Sequence, residues 1–219
     1  MTDKLIAMLK DRYTLTALDP GEFATLKANG MKFTVQAYHA EGLGHVSVMK
    51  AKGFFGLMRM DTVMVVPQET DLPLYSYDRI YAMGNDTLIV ELYDTLTEPL
   101  DLTAADAAKA KFSHLPERDP GEHWYDSIKL AQSISKKGKK AISPELDALT
   151  LSHFEAYLSA QAGETTDGTK KQSLSAAYVN GLLERGGPST DVFKKQLGME
   201  KTEMLFKNVL FGTALDRTN

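Results

Sequence analysis

Apolar and polar residues alternate along the chain between residues 33 and 95. Five runs show a period of two, which is the spacing of a strand with one buried face. They cover residues 33–40, 45–51, 57–66, 74–83 and 86–95. The connections between these runs are short, and each contains glycine or proline. Because such connections cannot hold crossover helices, the pattern predicts an antiparallel meander.

Apolar residues recur at every third or fourth position in the second half of the chain, which is the spacing of one helix face. This pattern covers residues 103–112, 144–162, 173–186 and 188–212. Residues 117–126 and 135–144 have the composition of loops. In the first 30 residues the sequence predicts one or two helices, the second beginning after Asp19-Pro20 and ending at Gly30. The prediction is a single α/β domain over residues 1–219, with an antiparallel sheet followed by helices.

The composition is that of an ordinary globular protein, with 43% hydrophobic and 25% charged residues. No apolar run reaches the roughly 18 residues of a membrane span, and the N-terminal segment lacks the apolar core of a signal peptide. Zero cysteines exclude disulfides, thiol catalysis and thiolate-bound metal clusters. The net charge of −4 argues against a general nucleic-acid binder. We expect a cytoplasmic protein with no nucleic-acid or membrane partner, and the histidine spacing predicts no metal site.

Counting across the turns predicts a row of polar side chains on one face of the sheet. The row consists of one residue from each of four strands: Ser47, Thr62, Asp78 and Glu91. The last pairing depends on a two-residue turn at Gly84-Asn85, which is a strong hairpin signal. Directly opposed residues on neighbouring strands have side chains about 4.5–5.5 Å apart. A slip of one residue in any turn would break the row.

The residues that flank this row on the same face are mostly apolar and flexible. They are His45, Met49, Met60, Met64, Ser76, Ile80, Ile89 and Tyr93. Such a mixture is typical of the floor of an apolar ligand pocket with a few polar groups. Two covered carboxylates, Asp78 and Glu91, would repel each other, so that one would keep its proton near neutral pH and act as a proton donor. The alternative is a partly solvated sheet face on which the two carboxylates have no function.

Three segments of the sequence resemble the ferredoxin-dependent bilin reductases. These are VMVVPQETDLPLYSYDRIYAMG, the short HWYDS segment and the tail VFKKQLGMEKTEMLFKNVLFG. The first contains a strand that ends in Pro67, an acidic loop to Leu72-Pro73 and an aspartate five residues later, at Asp78. The tail carries the remaining counterparts at Leu197-Gly198, Glu200, Glu203 and Val209-Leu210-Phe211. The element order matches over roughly residues 33–212.

The resemblance implies a three-layer α/β/α sandwich in which a linear tetrapyrrole lies between the sheet and the C-terminal helices. Ferredoxin would supply single electrons, and no bound flavin or metal would take part. Asp78 matches the proton donor of the family, and we expect Glu91 to be its catalytic partner. The family's glutamate and histidine fall at Ser47 and Thr62, and its second aspartate falls at Gly187. The hydroxyl groups of Ser47 and Thr62 cannot replace the carboxyl group or the imidazole as acid–base groups.

We expect Ser47, Thr62, His45, Met49, Met64 and Tyr93 to bind the tetrapyrrole. If the register slips by one residue, Asp61 would take the place of Glu91 as the second acid. Two alternatives stay open: a tetrapyrrole-binding protein without catalysis, and a partner-binding module on the same fold. A monomer is expected in each case.

Two groups of basic residues are candidates for docking ferredoxin. One is a lysine-rich loop formed by Lys136, Lys137, Lys139 and Lys140. The other flanks the KGFFG turn and consists of Lys50, Lys52 and Arg59. The alternative for both is a solvated surface with no partner.

Overall fold

The computed structural model describes residues 1–214 and contains one antiparallel sheet covered by helices on both faces. The strands are β1 (Leu15–Leu18), β2 (Thr25–Ala28), β3 (Met31–Ala40), β4 (Gly44–Gly53), β5 (Met58–Pro67), β6 (Leu74–Ala82), β7 (Asn85–Tyr93) and β8 (Ile134–Lys139). The helices are α1 (Thr2–Lys10), α2 (Thr103–Ala110), α3 (Ser143–Leu158), α4 (Gly168–Arg185), α5 (Thr190–Leu197) and α6 (Met199–Met204). A π-helical segment, Leu205–Leu210, continues α6.

The strands follow one another across the sheet in the order β1, β3, β4, β5, β6, β7, β8, and all their pairings are antiparallel. Strand β2 lies off this path and pairs with the first half of β3, while β1 pairs with its last residues. The predicted meander of five strands, now β3 to β7, is confirmed. Residues 215–219, the end of the predicted domain, lie outside the described part of the chain.

Three segments differ from the prediction, the first being residues 15–18, which form the unpredicted strand β1. Residues 21–30 do not form a helix: a single 3-10 turn, Gly21–Ala24, leads into β2, in which alternate residues are buried. Residues 135–144 are not a loop, because their first half lies in β8 at the edge of the sheet. An edge strand pairs on one side only and is commonly rich in lysine, so its composition is like that of a loop.

The sheet separates two apolar cores. One face carries the valines and leucines of β4, β5 and β7, and it packs against α1 and α3. The other face packs against α4, α5 and the C-terminal segment. This arrangement is the predicted three-layer α/β/α sandwich. Within residues 1–214, no helix has both the length and the apolar character needed to cross a bilayer.

The register confirms one predicted pair of the polar row and corrects the other two. Thr62 lies opposite Asp78, as predicted. However, Glu91 lies opposite Ser76, and Ser47 lies opposite Met64. In both cases the observed partner is two residues away from the predicted one, so each side chain stays on its predicted face.

Candidate functional site

A cavity of about 320 Å³ lies between the sheet and the helices α4 and α5. Its floor is formed by Met31, Phe33, Met49, Met58, Met60, Thr62, Met64, Ser76, Asp78, Ile80, Ile89, Glu91 and Tyr93. Its roof and rim include Arg118, Pro120, His123, Tyr125, Tyr178, Leu182, Gly187, Pro188, Val192, Phe193, Phe206 and Phe211. A volume of this size, mostly apolar walls and few polar groups are typical of small-molecule sites.

Asp78 is the central polar group of the floor. It lies in the middle of β6, where its neighbours on the same face are Ser76 and Ile80. The Thr62 hydroxyl donates a hydrogen bond of 2.5 Å to Asp78 Oδ1. Burial raises the pKa of Asp78, the hydrogen bond from Thr62 opposes this rise and the nearby Glu91 adds to it, and together they give a pKa of about 6. A carboxyl group with this pKa is protonated in an appreciable fraction of molecules near neutral pH.

Glu91 lies on β7, diagonally across from Asp78, because Asp78 is directly opposite Ile89. The Tyr93 hydroxyl donates a hydrogen bond of 2.6 Å to Glu91 Oε2. On its other side, Glu91 Oε1 lies 3.9 Å from Lys129 Nζ. Glu91 therefore has a hydroxyl and an ammonium group as partners, whereas Asp78 has only the Thr62 hydroxyl.

Aromatic rings cover the polar strip. The rings of Tyr93 and Tyr178 are tilted and lie 4.1 Å apart, and Tyr125 meets Tyr93 edge to face at 5.6 Å. Burial raises the pKa of all three phenols, which therefore stay neutral proton donors. The segment that carries Tyr125 is held in place by Trp124, whose indole N–H donates to the Gly186 carbonyl at 3.0 Å.

Arg118 and His123 add nitrogen groups to the rim of the cavity. The His123 ring stacks on Tyr125 with centroids 4.9 Å apart, and His123 Nδ1 is buried without a hydrogen-bond partner. Arg118 Nη1 donates to Ser135 Oγ at 3.2 Å. These groups come from the segment between α2 and β8, where the sequence indicated a loop without indicating which face it covers.

His45 and Ser47 lie on the predicted face, but their polar atoms bind the C-terminal segment. His45 Nε2 donates to the Val209 carbonyl at 2.8 Å, and Ser47 Oγ donates to the Leu210 carbonyl at 2.7 Å. Among residues 1–214, neither belongs to the lining of the cavity. These two residues therefore anchor the roof onto the sheet.

The other predicted site residues all border the cavity: Met49, Thr62, Met64, Asp78, Glu91 and Tyr93. Gly187 lies on the rim, where the resemblance places a second aspartate. Asp61 pairs with Lys50 and Arg79 on the strands at either side, so it points to the opposite face of the sheet. It is therefore not available as the second acid of this cavity.

Sequence reasoning missed the aromatic roof, formed by Tyr125, Tyr178, Phe206 and Phe211. Helical spacing predicted a buried face for α4, but it did not indicate that this face covers a cavity. A local signal was Gly181, since a Cβ atom there would lie 2.2 Å from the Trp124 ring. The glycine gives this ring room to pack on α4.

Comparison with known proteins gives a structural match alone. No protein-family model matches the sequence, and no curated protein is similar to it at a significant level. Among solved structures, the chain is similar to phytochromobilin synthase from tomato in complex with biliverdin, with a TM-score of 0.73 and 15% sequence identity. The match covers 100% of this chain and 85% of the tomato protein. The chain therefore has the fold of that phytochromobilin synthase.

Proposed function

We propose that this protein is a ferredoxin-dependent reductase of a bilin or a related open-chain tetrapyrrole. The observation that carries the proposal is Asp78, a carboxyl group with a pKa of about 6 at the centre of a cavity lined by methionine and aromatic side chains. A flat apolar ligand fits such walls, and a partly protonated acid beneath it supplies protons. The shared fold with a protein solved in complex with biliverdin adds support from an independent direction.

In the proposed reaction, the reduction of one double bond consumes two electrons and two protons. Reduced ferredoxin supplies the electrons one at a time and is itself oxidised. Asp78 donates a proton to the bilin after an electron arrives, because the added electron makes the bilin more basic. Glu91, with Tyr93 and Lys129 beside it, lies on the same floor and is the proposed source of the second proton. Thr62 orients Asp78 through the hydrogen bond to Oδ1.

A second candidate is a tetrapyrrole-binding protein without catalysis. The observation in its favour is the polar row itself, in which Thr62 and Ser47 hold no titratable proton and Ser47 binds the C-terminal segment. A partner-binding module that has lost its pocket is disfavoured, because the cavity is open. Tyr38 and Tyr77 pack in the opposite core, and Tyr93 forms part of the wall.

Titration of the purified protein with biliverdin, followed by absorbance, tests binding first. We expect a micromolar or tighter dissociation constant and an increase in melting temperature at excess ligand. Reduced ferredoxin or dithionite is then added without oxygen. Loss of the biliverdin spectrum with a new, shorter-wavelength product supports the reductase. Binding with no spectral change under either reductant supports the carrier, and no binding at all rejects both.

A further inference from the structure

Four basic residues form a row on the face of the sheet that is opposite the cavity. Lys27 pairs with Lys32, Lys32 with Lys52, and Lys52 with Arg59, on four neighbouring strands. At about 4.8 Å per strand, the row is about 14 Å long. We call these four residues the basic row. The sequence showed two of its members, but only the register shows that the four lie side by side.

Like charges that face each other directly on neighbouring strands destabilise a sheet. All four side chains of the basic row are exposed, and within residues 1–214 its three lysines form no ion pair. Arg59 lies 3.8 Å from Asp61 and stacks over the Tyr81 ring. Lys50, two residues before Lys52, is by contrast paired with Asp3 at 2.7 Å. The charges of the three lysines in this row are therefore not compensated by ion pairs.

Exposed apolar side chains lie beside the basic row, in the β4–β5 turn and in the neighbouring β6–β7 turn. Four of the six large apolar side chains that are exposed in the described chain are here: Phe54, Phe55, Leu57 and Met83. Phe54, Phe55 and Met83 have positive φ angles of 52°, 56° and 51°. This left-handed conformation is uncommon for residues other than glycine and is unfavourable for bulky ones. Both the backbone conformation and the exposure therefore cost stability.

The basic row lies directly behind the cavity floor. Lys32 is between Met31 and Phe33 in sequence, and Arg59 is between Met58 and Met60. These neighbours all line the cavity, so the two surfaces are separated by a single layer of backbone. Asn29 and Met31 border both the cavity and a groove beside Phe54 and Phe55.

We infer that the basic row and the adjoining apolar turns dock an acidic one-electron donor protein. This inference rests on the proposed function, and it places the donor one backbone layer from the bound tetrapyrrole. The positive charge of the row contrasts with the net charge of −4 of the whole chain, so an acidic partner is oriented toward this surface. Lys139 and Lys140 extend the charge around the end of the sheet, since the Lys140 N–H donates to the Gly84 carbonyl at 3.2 Å.

The structure also corrects the lysine-rich segment proposed as a docking loop. Lys136 is buried, and its ammonium group binds Glu117 and the Leu115 carbonyl. Lys137, Lys139 and Lys140 are exposed. The candidate surface therefore contains Lys139 and Lys140 but not Lys136.

Docking is tested with the double variant Lys32→Gln/Lys52→Gln in the full chain. The matched control is Lys10→Gln/Lys111→Gln, which removes the same charge from two exposed sites, one in α1 and one just after α2. We expect the KM for ferredoxin to rise about tenfold or more in the row variant and less than twofold in the control. The salt dependence of turnover should weaken in the row variant as well. Reduction driven by dithionite should be the same in all three proteins.

Three results would overturn the docking surface. The first is an equal KM for ferredoxin in the row variant and the control. The second is a parallel loss of dithionite-driven reduction, which would place the effect in the cavity. The third is that wild-type protein binds anionic phospholipid vesicles, that the row variant does not, and that ferredoxin turnover is unchanged. If wild-type protein binds ferredoxin through the row in a calorimetric titration but reduces no bilin, the proposed function fails and the docking surface stands.

Discussion

At the scale of single residues, the chemistry of the site depends on the different surroundings of two carboxyl groups, Asp78 and Glu91, on the cavity floor. Asp78 is surrounded by apolar side chains and has one hydroxyl partner, so its pKa rises to about 6. Glu91 has a phenol and an ammonium group beside it. The two carboxyl groups of the cavity floor therefore have different environments.

The raised pKa of Asp78 has a consequence for stability. An acid whose pKa is higher in the folded state destabilises the fold as pH rises from about 4 to about 6, because the unfolded chain loses its proton first. We therefore expect Asp78→Asn to be more stable than wild type above pH 6, by about 1–2 kcal/mol once cavity water is allowed for. The gain should vanish near pH 4. Urea unfolding at pH values from 4 to 7.5 measures it.

Asp126→Asn is the matched control, because hydrogen bonds from Lys129 and the His123 backbone lower the pKa of Asp126. Its substitution should lower stability, with no change between pH 5 and 7. A pH-independent difference between Asp78→Asn and wild type would mean that Asp78 does not titrate as described.

The sequence predicted the Thr62–Asp78 pair because the connection between their strands is centred on Thr70 and has no bulge. It failed for Ser47, whose face was correct but whose partner lies in the C-terminal segment. Tyr178 could not be foreseen as part of the site, since its contact with Tyr93 joins α4 to β7 across the cavity. Contacts between elements that are far apart in the sequence cannot be predicted from the periodicity of apolar residues.

At the scale of elements, β4 helps to hold the C-terminal segment in place as the roof of the cavity. The π-helical turn ends where the Phe211 N–H donates to the Phe206 carbonyl at 2.9 Å. Just before this point, His45 and Ser47 of β4 bind the Val209 and Leu210 carbonyls. Gly212 allows the chain to pass close to His45, since a Cβ atom there would lie 2.5 Å from its ring.

Ser47→Ala should weaken this attachment. The Leu210 carbonyl would lose its buried donor, which costs about 1–2 kcal/mol of unfolding free energy. The dissociation constant of biliverdin and the reduction product should be unchanged, because Ser47 does not border the cavity. Ser127→Ala, at an exposed position, is the control and should change stability by less than about 0.5 kcal/mol. An altered bilin product in Ser47→Ala would return Ser47 to the substrate site.

One of the two register errors in the sequence prediction, the one that placed Glu91 opposite Asp78, arose in the turn between β6 and β7. Gly84-Asn85 has the composition of a tight turn, but the structure uses Met83-Gly84, with φ angles of 51° and 75°. Both central residues of this turn type need positive φ, which methionine seldom adopts. The preference of single residues therefore predicted the hairpin but not its exact position.

At the scale of the whole molecule, the sheet separates the two requirements of the proposed reaction. In the proposed reaction, protons would come from Asp78 and Glu91 on the cavity face, and electrons would arrive on the opposite face at the basic row. Methionines of β3 and β5 line the cavity on the face opposite the basic row. Because successive side chains of a strand point to opposite faces, the same strands line the cavity on one face and carry the basic row on the other. One layer of backbone would therefore separate the electron donor from the substrate.

The role of Asp78 as the proton donor is tested by anaerobic reduction of biliverdin bound to Asp78→Asn. Asparagine keeps the size of the side chain and an acceptor for Thr62, but it has no proton to donate at neutral pH. We expect biliverdin to bind within about threefold of the wild-type affinity. The one-electron-reduced bilin should then accumulate as a radical visible by electron spin resonance, with no reduced product. Formation of the wild-type product at the wild-type rate would contradict the assignment of Asp78.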